Sequence, residues 1–260
     1  MIIIAERINA SRKRIAQALE ARDADRIADE ARLQAQAGAD FIDVNAASNP
    51  AKELDNLLWA VRVVQQATDK PLCLDSASPQ ALRAALELIE GDSVMLNSVT
   101  AEKAKMEAVL PIAAEFETGL VALTMDDVGL PSTANQRLDI AGRLVEAARK
   151  AGIGPQQLYV DPCIQPISTS PQQAMEVLAA VSRIMAAFPG VHTTCGLSNI
   201  SFGLPQRGLV NRTYLGCLIM AGLDSAIIDP TAEGMVETAL AADALAGRDE
   251  FCMNYIRRMR

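Results

Sequence analysis

Histidine is nearly missing from this chain: one residue in 260, His192. Imidazole-based acid–base chemistry and metal centres built from several histidines are therefore not expected. Aromatic residues make up only 3%, so the core has to be built from Ala, Leu, Ile, Val and Met. Disulfide architecture is also unsupported. The five cysteines (Cys73, Cys163, Cys195, Cys217 and Cys252) are an odd number without CxxC spacing, which suits reduced thiols in a cytosol. No apolar run reaches the 18 residues a membrane span needs. The chain enters on MIIIAER without a basic segment ahead of an apolar stretch, so no secretory signal and a cytoplasmic location are expected. A net charge of −8 argues against nucleic acid as a partner. No GxGxxG follows the first apolar run, which disfavours a dinucleotide fold.

What is present is a repeat of short apolar runs: 2–9, 41–45, 72–76, 94–98, 120–127, 158–162, 193–199 and 226–230. Between them lie segments of 3.6-residue periodicity, at 12–21, 24–37, 51–68, 79–90, 101–117, 136–151, 171–187, 211–221 and 232–246. Ser78–Pro79 and Ser170–Pro171 read as helix starts, and Gly38, Gly152 and Gly222 as helix stops. Eight strand–helix alternations predict parallel pairing with right-handed crossovers. The expected fold is an α/β (β/α)8 TIM barrel, with residues 1–260 as one domain; an open doubly wound sheet is the alternative. The basic tail FCMNYIRRMR reads as a solvated terminal helix.

Nearly every run ends in an acid or an amide: Glu6, Asn9, Asp43, Asn45, Asp75, Asn97, Asp126, Asp161, Asn199 and Asp229. An Asp or Asn after a strand is often only a turn former or helix cap, and Asp75 and Asp126 are each open to that reading. Taken together, eight such endings predict a pocket at the C-terminal rim of the barrel, where barrel function sits. That pocket would be rich in carboxylate and carboxamide, with almost no cationic side chains. It suits a small ligand rich in hydrogen-bond donors.

The stretches IIIAERIN, DVN, LCLDS, LNS, ALTMDD-GLP, YVDP, GLSNISFGLP-R and LVNRTYL resemble the pterin-binding methyltransferases, most closely the methyltetrahydrofolate:corrinoid protein methyltransferases. The resemblance runs from Met1 to about residue 257. It implies a methyltransferase that moves a methyl group between N5 of tetrahydrofolate and the cobalt of a corrinoid. The corrinoid is carried by a partner protein, since this chain has no DxHxxG corrinoid signature. It further implies a homodimer, no metal on this chain, and tetrahydrofolate or methyltetrahydrofolate as substrate. By resemblance, Asp75, Asn97 and Asp161 hold the pterin's donor edge, Asn199 contacts N5 as the catalytic residue, and Arg207 lines the pterin plane. Ser198 joins this set, Met125 and Ile227 flank the ring, and Glu6, Asp43 and Asn45 stand behind it.

Two other readings stay open on sequence. Dihydropteroate synthase shares the barrel and the pterin carboxylates. It normally carries a lysine–arginine pyrophosphate site and an Arg–His pair after strand eight, where this chain has Ile-Ile-Asp-Pro. A non-catalytic folate-binding subunit of a corrinoid methyltransferase complex would share the cavity but has no need of Asn199.

Overall fold

Short strands joined through amphipathic helices can pair only by crossovers, and crossover pairing is parallel. The computed structural model describes residues 1–91 and 93–260. Its strands are β1 (Ile2–Asn9), β2 (Phe41–Asn45), β3 (Leu72–Asp75), β4 (Val94–Thr100), β5 (Gly119–Leu123), β6 (Leu158–Asp161), β7 (His192–Thr193) and β8 (Ser225–Ile228). They lie in the order β7-β6-β5-β4-β3-β2-β1-β8. The ring is closed between β7 and β8, where the Ile227 N–H donates to the Cys195 carbonyl at 2.9 Å and Ser225 Oγ donates to the Thr193 carbonyl at 3.0 Å. This is a (β/α)8 TIM barrel.

The helices are α1 (Lys13–Ala21), α2 (Ala24–Ala37), α3 (Glu53–Ala67), α4 (Pro79–Leu86), α5 (Lys103–Glu115), α6 (Ala134–Lys150), α7 (Gln173–Ala187), α8 (Arg207–Ala221), α9 (Met235–Leu245) and α10 (Met253–Met259). Their ends follow local chemistry. Ser78 Oγ accepts the Ala81 N–H at the start of α4, and Asp23 does the same for Arg26 at α2. Thr133 and Gln136 form a reciprocal capping box at α6. Gly38 and Gly222 end α2 and α8 at φ 109° and 117°, a backbone that side-chain-bearing residues resist.

Among the boundaries that differ from the sequence expectation, two bear on the site. The run 193–199 is not one strand: after Thr193 the chain leaves the ladder and turns through a 3-10 segment, Leu197–Ser201. Helix α8 starts at Arg207 rather than residue 211, which turns an expected loop arginine into a first-turn helix residue.

Alternation along the strands divides the core. Ile4, Cys73, Met95, Val121 and Tyr159 pack together as one buried cluster inside the barrel. The intervening residues, such as Ile42, Val44, Leu72, Leu74, Leu96 and Val160, pack outward with the helices. The interior is thus filled from below, and the space above it is left to the polar strand ends.

His192 is at the start of β7, at the opposite end of the barrel from those polar ends. Its Nδ1 lies 2.6 Å from Asp224 Oδ2, and its ring stacks on Tyr159 at 4.7 Å. The hydrogen bond to Asp224 raises its pKa. A raised folded-state pKa adds stability that is fully present below the unfolded value of about 6.5 and is lost as pH rises through the folded value. His192→Gln is therefore expected to lower the urea midpoint more at pH 5.5 than at pH 9. An equal loss at both would show that the contribution is packing alone.

Candidate active site

On five strands an interior apolar residue is followed two positions later, on the same face, by a polar one; on β5 Val121 leads to Leu123 instead. Ile4 leads to Glu6, Phe41 to Asp43, Cys73 to Asp75, Met95 to Asn97 and Tyr159 to Asp161. A cavity of about 670 Å³ opens at this C-terminal rim. Glu6, Asp43, Asp75 and Asn97 line it from the strands, and Ser198, Asn199, Arg207 and Asn211 line it from the segment after β7 and from α8. Ile227 supplies an apolar side from β8.

The polar groups hold one another in place. Asn97 Nδ2 donates to Asp43 Oδ1 at 3.2 Å, and Ser198 Oγ donates to Glu6 Oε1 at 2.7 Å. Arg207 donates from Nη2 to the Ser198 carbonyl at 2.6 Å and from Nε to Ser201 Oγ at 3.0 Å. Its guanidinium is thereby committed to shaping the Ser198–Asn199 turn. Asn199 differs: it is exposed at the rim, and its carboxamide has no hydrogen-bond partner among the described residues. A Cβ at Gly196 would lie 3.2 Å from Asn199 Nδ2, so glycine there leaves the carboxamide room.

Burial dominates the electrostatics. It raises Asp75 to about 6, with a bond from Asn45 opposing and Glu53 adding to the shift. Asp43 is raised well above the carboxylate range, first by burial and then by the facing Asp75 charge. Burial also raises Glu6, against the opposing Ser198 bond, and lifts Asp161 to about 6. Several acids clustered out of water cannot all ionise cheaply. Such a cavity favours an occupant that donates hydrogen bonds to these carboxyls.

Some predicted residues fall elsewhere. Asp161 stands behind the cavity lining: Oδ1 accepts the Cys163 N–H at 2.6 Å and Oδ2 the Gly196 N–H at 3.3 Å. Met125 is on the loop after β5, outside the lining, with its carbonyl accepting the Ala101 N–H. Asn45 also stands outside the lining, and its Oδ1 accepts the Ala47 N–H at 3.2 Å. Asp126 pairs with Arg143 and turns the chain at Val128. Asp229, by contrast, does line the cavity, while it accepts the N–H and hydroxyl of Thr231 and pairs with Arg7 at 3.0 Å. The expectation of a nearly cation-free pocket is corrected, because Arg12 and Arg207 both line it.

Three residues were not singled out from sequence. Arg12 follows the first strand. Asn211, inside LVNRTYL, is buried in the wall with its Oδ1 unpartnered among the described residues. Arg137 is fully buried on α6 and donates from Nε to the Pro162 carbonyl at 2.6 Å and from Nη2 to Gln173 Oε1 at 2.6 Å. It ties down the loop that follows Asp161. Removing it leaves a buried carbonyl and carboxamide unpaired around a void. Arg137→Ala is expected to lose about 3 kcal/mol or more in urea unfolding; a loss under about 1 kcal/mol would show that water replaces the guanidinium.

A family described as pterin binding enzyme matches residues 5–229. A methylcorrinoid:tetrahydrofolate methyltransferase of Eubacterium limosum is 38% identical over 262 aligned positions, covering 100% of this chain and 96% of that protein. A methionine synthase of Mycobacterium tuberculosis is 30% identical over 88% of this chain, which spans only 20% of that longer protein. Among solved structures, a dihydropteroate synthase of Xanthomonas albilineans with 7,8-dihydropteroate superposes with a TM-score of 0.72 over 94% of this chain and 92% of that one. At 23% identity this last likeness carries the fold alone.

Proposed function

Because the chain belongs to the pterin-binding enzyme family, we propose that it is a methyltransferase acting between N5 of tetrahydrofolate and the cobalt of a corrinoid held by a partner protein. The observation that carries this reading is the cavity itself: buried, protonatable carboxyls inside it, and an unengaged carboxamide at its mouth. A pterin presents a 2-amino group and N3–H along one edge. Asp75 is the acceptor on the cavity surface, and Asn97, fixed by Asp43, both donates and accepts. Asp161 acts from behind the lining, through the backbone it holds at Cys163 and Gly196. Glu6, Asp43 and Asn45 set the charge and position of this layer. Ile227 supports the ring from the side, Ser198 and Arg207 hold the turn that carries Asn199, and Asn211 offers a free acceptor.

Methyl transfer from N5 needs N5 to leave with a proton, because a neutral tertiary amine would otherwise depart as an anion. Asn199 is free to turn its carboxamide oxygen toward N5–H⁺. The Co(I) of the partner's corrinoid would supply an electron pair to the methyl carbon, the carbon–N5 bond would break, and its pair would stay on N5 as a lone pair beside the N–H already formed by protonation. In the opposite direction N5 attacks the cobalt-bound methyl and the proton is released. The ring lies at the rim of an open barrel, so a partner carrying the corrinoid has access to it. Proximity and exclusion of water supply the remaining acceleration. The structure has no helix long and apolar enough to cross a membrane among the described residues. The same reading has the enzyme working in the cytoplasm as a homodimer.

The test is direct. Mixing the protein with methyltetrahydrofolate and chemically reduced cobalamin is expected to produce methylcobalamin, followed by its absorbance spectrum. Absence of turnover with folded protein would overturn the assignment.

A further inference from the structure

Beside the main cavity is a second one of about 290 Å³, and its lining is almost entirely cationic: Arg7, Arg12, Lys13, Arg14 and Arg26, with Glu30 as the one acid. On a chain of net charge −8, this concentration needs a cause. Folding does not supply one. Lys13 and Arg14 open helix α1, where the macrodipole disfavours positive charge, and that first turn contains no acid. Arg7 is engaged by Glu30 and Asp229, and Arg26 lies 3.6 Å from Glu30. Lys13 and Arg14 are exposed and form no ion pair among the described residues. Arg12 lines both cavities, so the basic pocket continues the rim of the acidic one.

The two cavities together form a polarised track, with buried carboxyls at one end and an excess of cations at the other, of which Lys13 and Arg14 form no ion pair among the described residues. A folate has the same polarity in reverse, with a donor-rich pterin at one end and glutamyl carboxylates at the other. We propose that Arg12, Lys13 and Arg14 form a subsite for the γ-linked glutamyl tail of the folate, so that the enzyme selects oligoglutamyl over monoglutamyl substrates. This rests on the folate reading above. Each added glutamate brings one more carboxylate toward Lys13 and Arg14, which pair with no anion among the described residues, and toward Arg12, whose one acid, Asp229, lies 3.8 Å away; the benefit falls with salt.

The experiment compares kcat/KM for mono- and pentaglutamyl methyltetrahydrofolate, with free reduced cobalamin as acceptor so that no partner docking enters. The penta- to monoglutamate ratio is expected to be about tenfold at low salt and to fall toward one in Lys13→Ala/Arg14→Ala. The monoglutamate rate of the same variant reports that it is folded. Loss of these charges at the start of α1 should leave Tm unchanged or raised, which a structural role would not do. A ratio near one in the natural protein, or a ratio retained in the variant, would overturn the subsite. A variant that slows only with a corrinoid protein, at every tail length, would assign the patch to that partner and overturn it too. If no folate turns over, the methyl-transfer reading fails first, and calorimetric binding of the two tail lengths still decides the subsite by the same ratio.

Discussion

Asn199→Ala is expected to lower kcat for methyl transfer about a hundredfold, while the dissociation constant of methyltetrahydrofolate changes by less than about threefold. The asymmetry follows from where the residue stands. Its carboxamide is exposed and unpartnered at the rim among the described residues, whereas the buried grip on the ligand is proposed for Asp75, Asn97 and the groups behind them. A bond that strengthens only as N5 gains a proton contributes to the transition state and little to the ground state. Single-turnover rates and equilibrium titration separate the two quantities. Equal losses in both would make Asn199 a binding residue. A companion change sharpens the point: a methyl group at Gly196 would crowd Asn199 Nδ2 at 3.2 Å. Gly196→Ala should therefore slow the chemical step in the same direction by restricting that side chain.

Much of this architecture was legible because strand and helix periods are local. Ile4–Glu6, Cys73–Asp75 and Met95–Asn97 each place a barrel-filling residue and a cavity residue two apart, and period two needs no tertiary knowledge. Strand β7 resisted the same reading. TTCGLSN occupies the place of a strand in the alternation although only Cys195 and Leu197 in it are apolar, and only His192–Thr193 pairs as a strand. The chain then turns to bring Ser198 and Asn199 over the cavity. The resemblance gives Asp161 to the ligand, and each of its oxygens also accepts one backbone N–H, from Cys163 and Gly196. Hydrogen bonding to a backbone that is remote in sequence is not encoded in spacing. Arg137 and the Lys13–Arg14 pair did leave signals in the sequence. Arg137 interrupts the buried face of α6, between Ala134 and Ile140, where a charge must have partners. Lys13 and Arg14 put charge at the wrong end of α1 for stability, and that pointed past folding toward a ligand.

Asp75→Asn is expected to pull stability and binding in opposite directions. Burial holds the Asp75 carboxyl at about 6 in the ligand-free protein, above its unfolded value near 4. The folded state therefore favours the protonated acid: no penalty applies below pH 4, and it grows as pH rises through 6. By pH 8 the ionised carboxylate costs the fold up to about 3 kcal/mol. An amide carries no such cost, so the variant should unfold at higher urea than the natural protein at pH 8 and at nearly the same urea at pH 4. Binding follows the opposite logic, because a pterin edge needs the ionised acceptor. Folate affinity of the natural protein should fall as pH drops through 6, approaching tenfold per pH unit if one proton must leave. Binding at pH 6 should release protons into buffer. Asp75→Asn should weaken binding about a hundredfold at pH 8, from loss of a charge-assisted pair, and should flatten that pH limb. Affinity that stayed flat with pH in the natural protein would show that Asp75 binds the ligand as the neutral acid. A variant less stable than the natural protein at pH 8 would show that the carboxylate is held by its neighbours, Asn45 foremost, more firmly than burial opposes it.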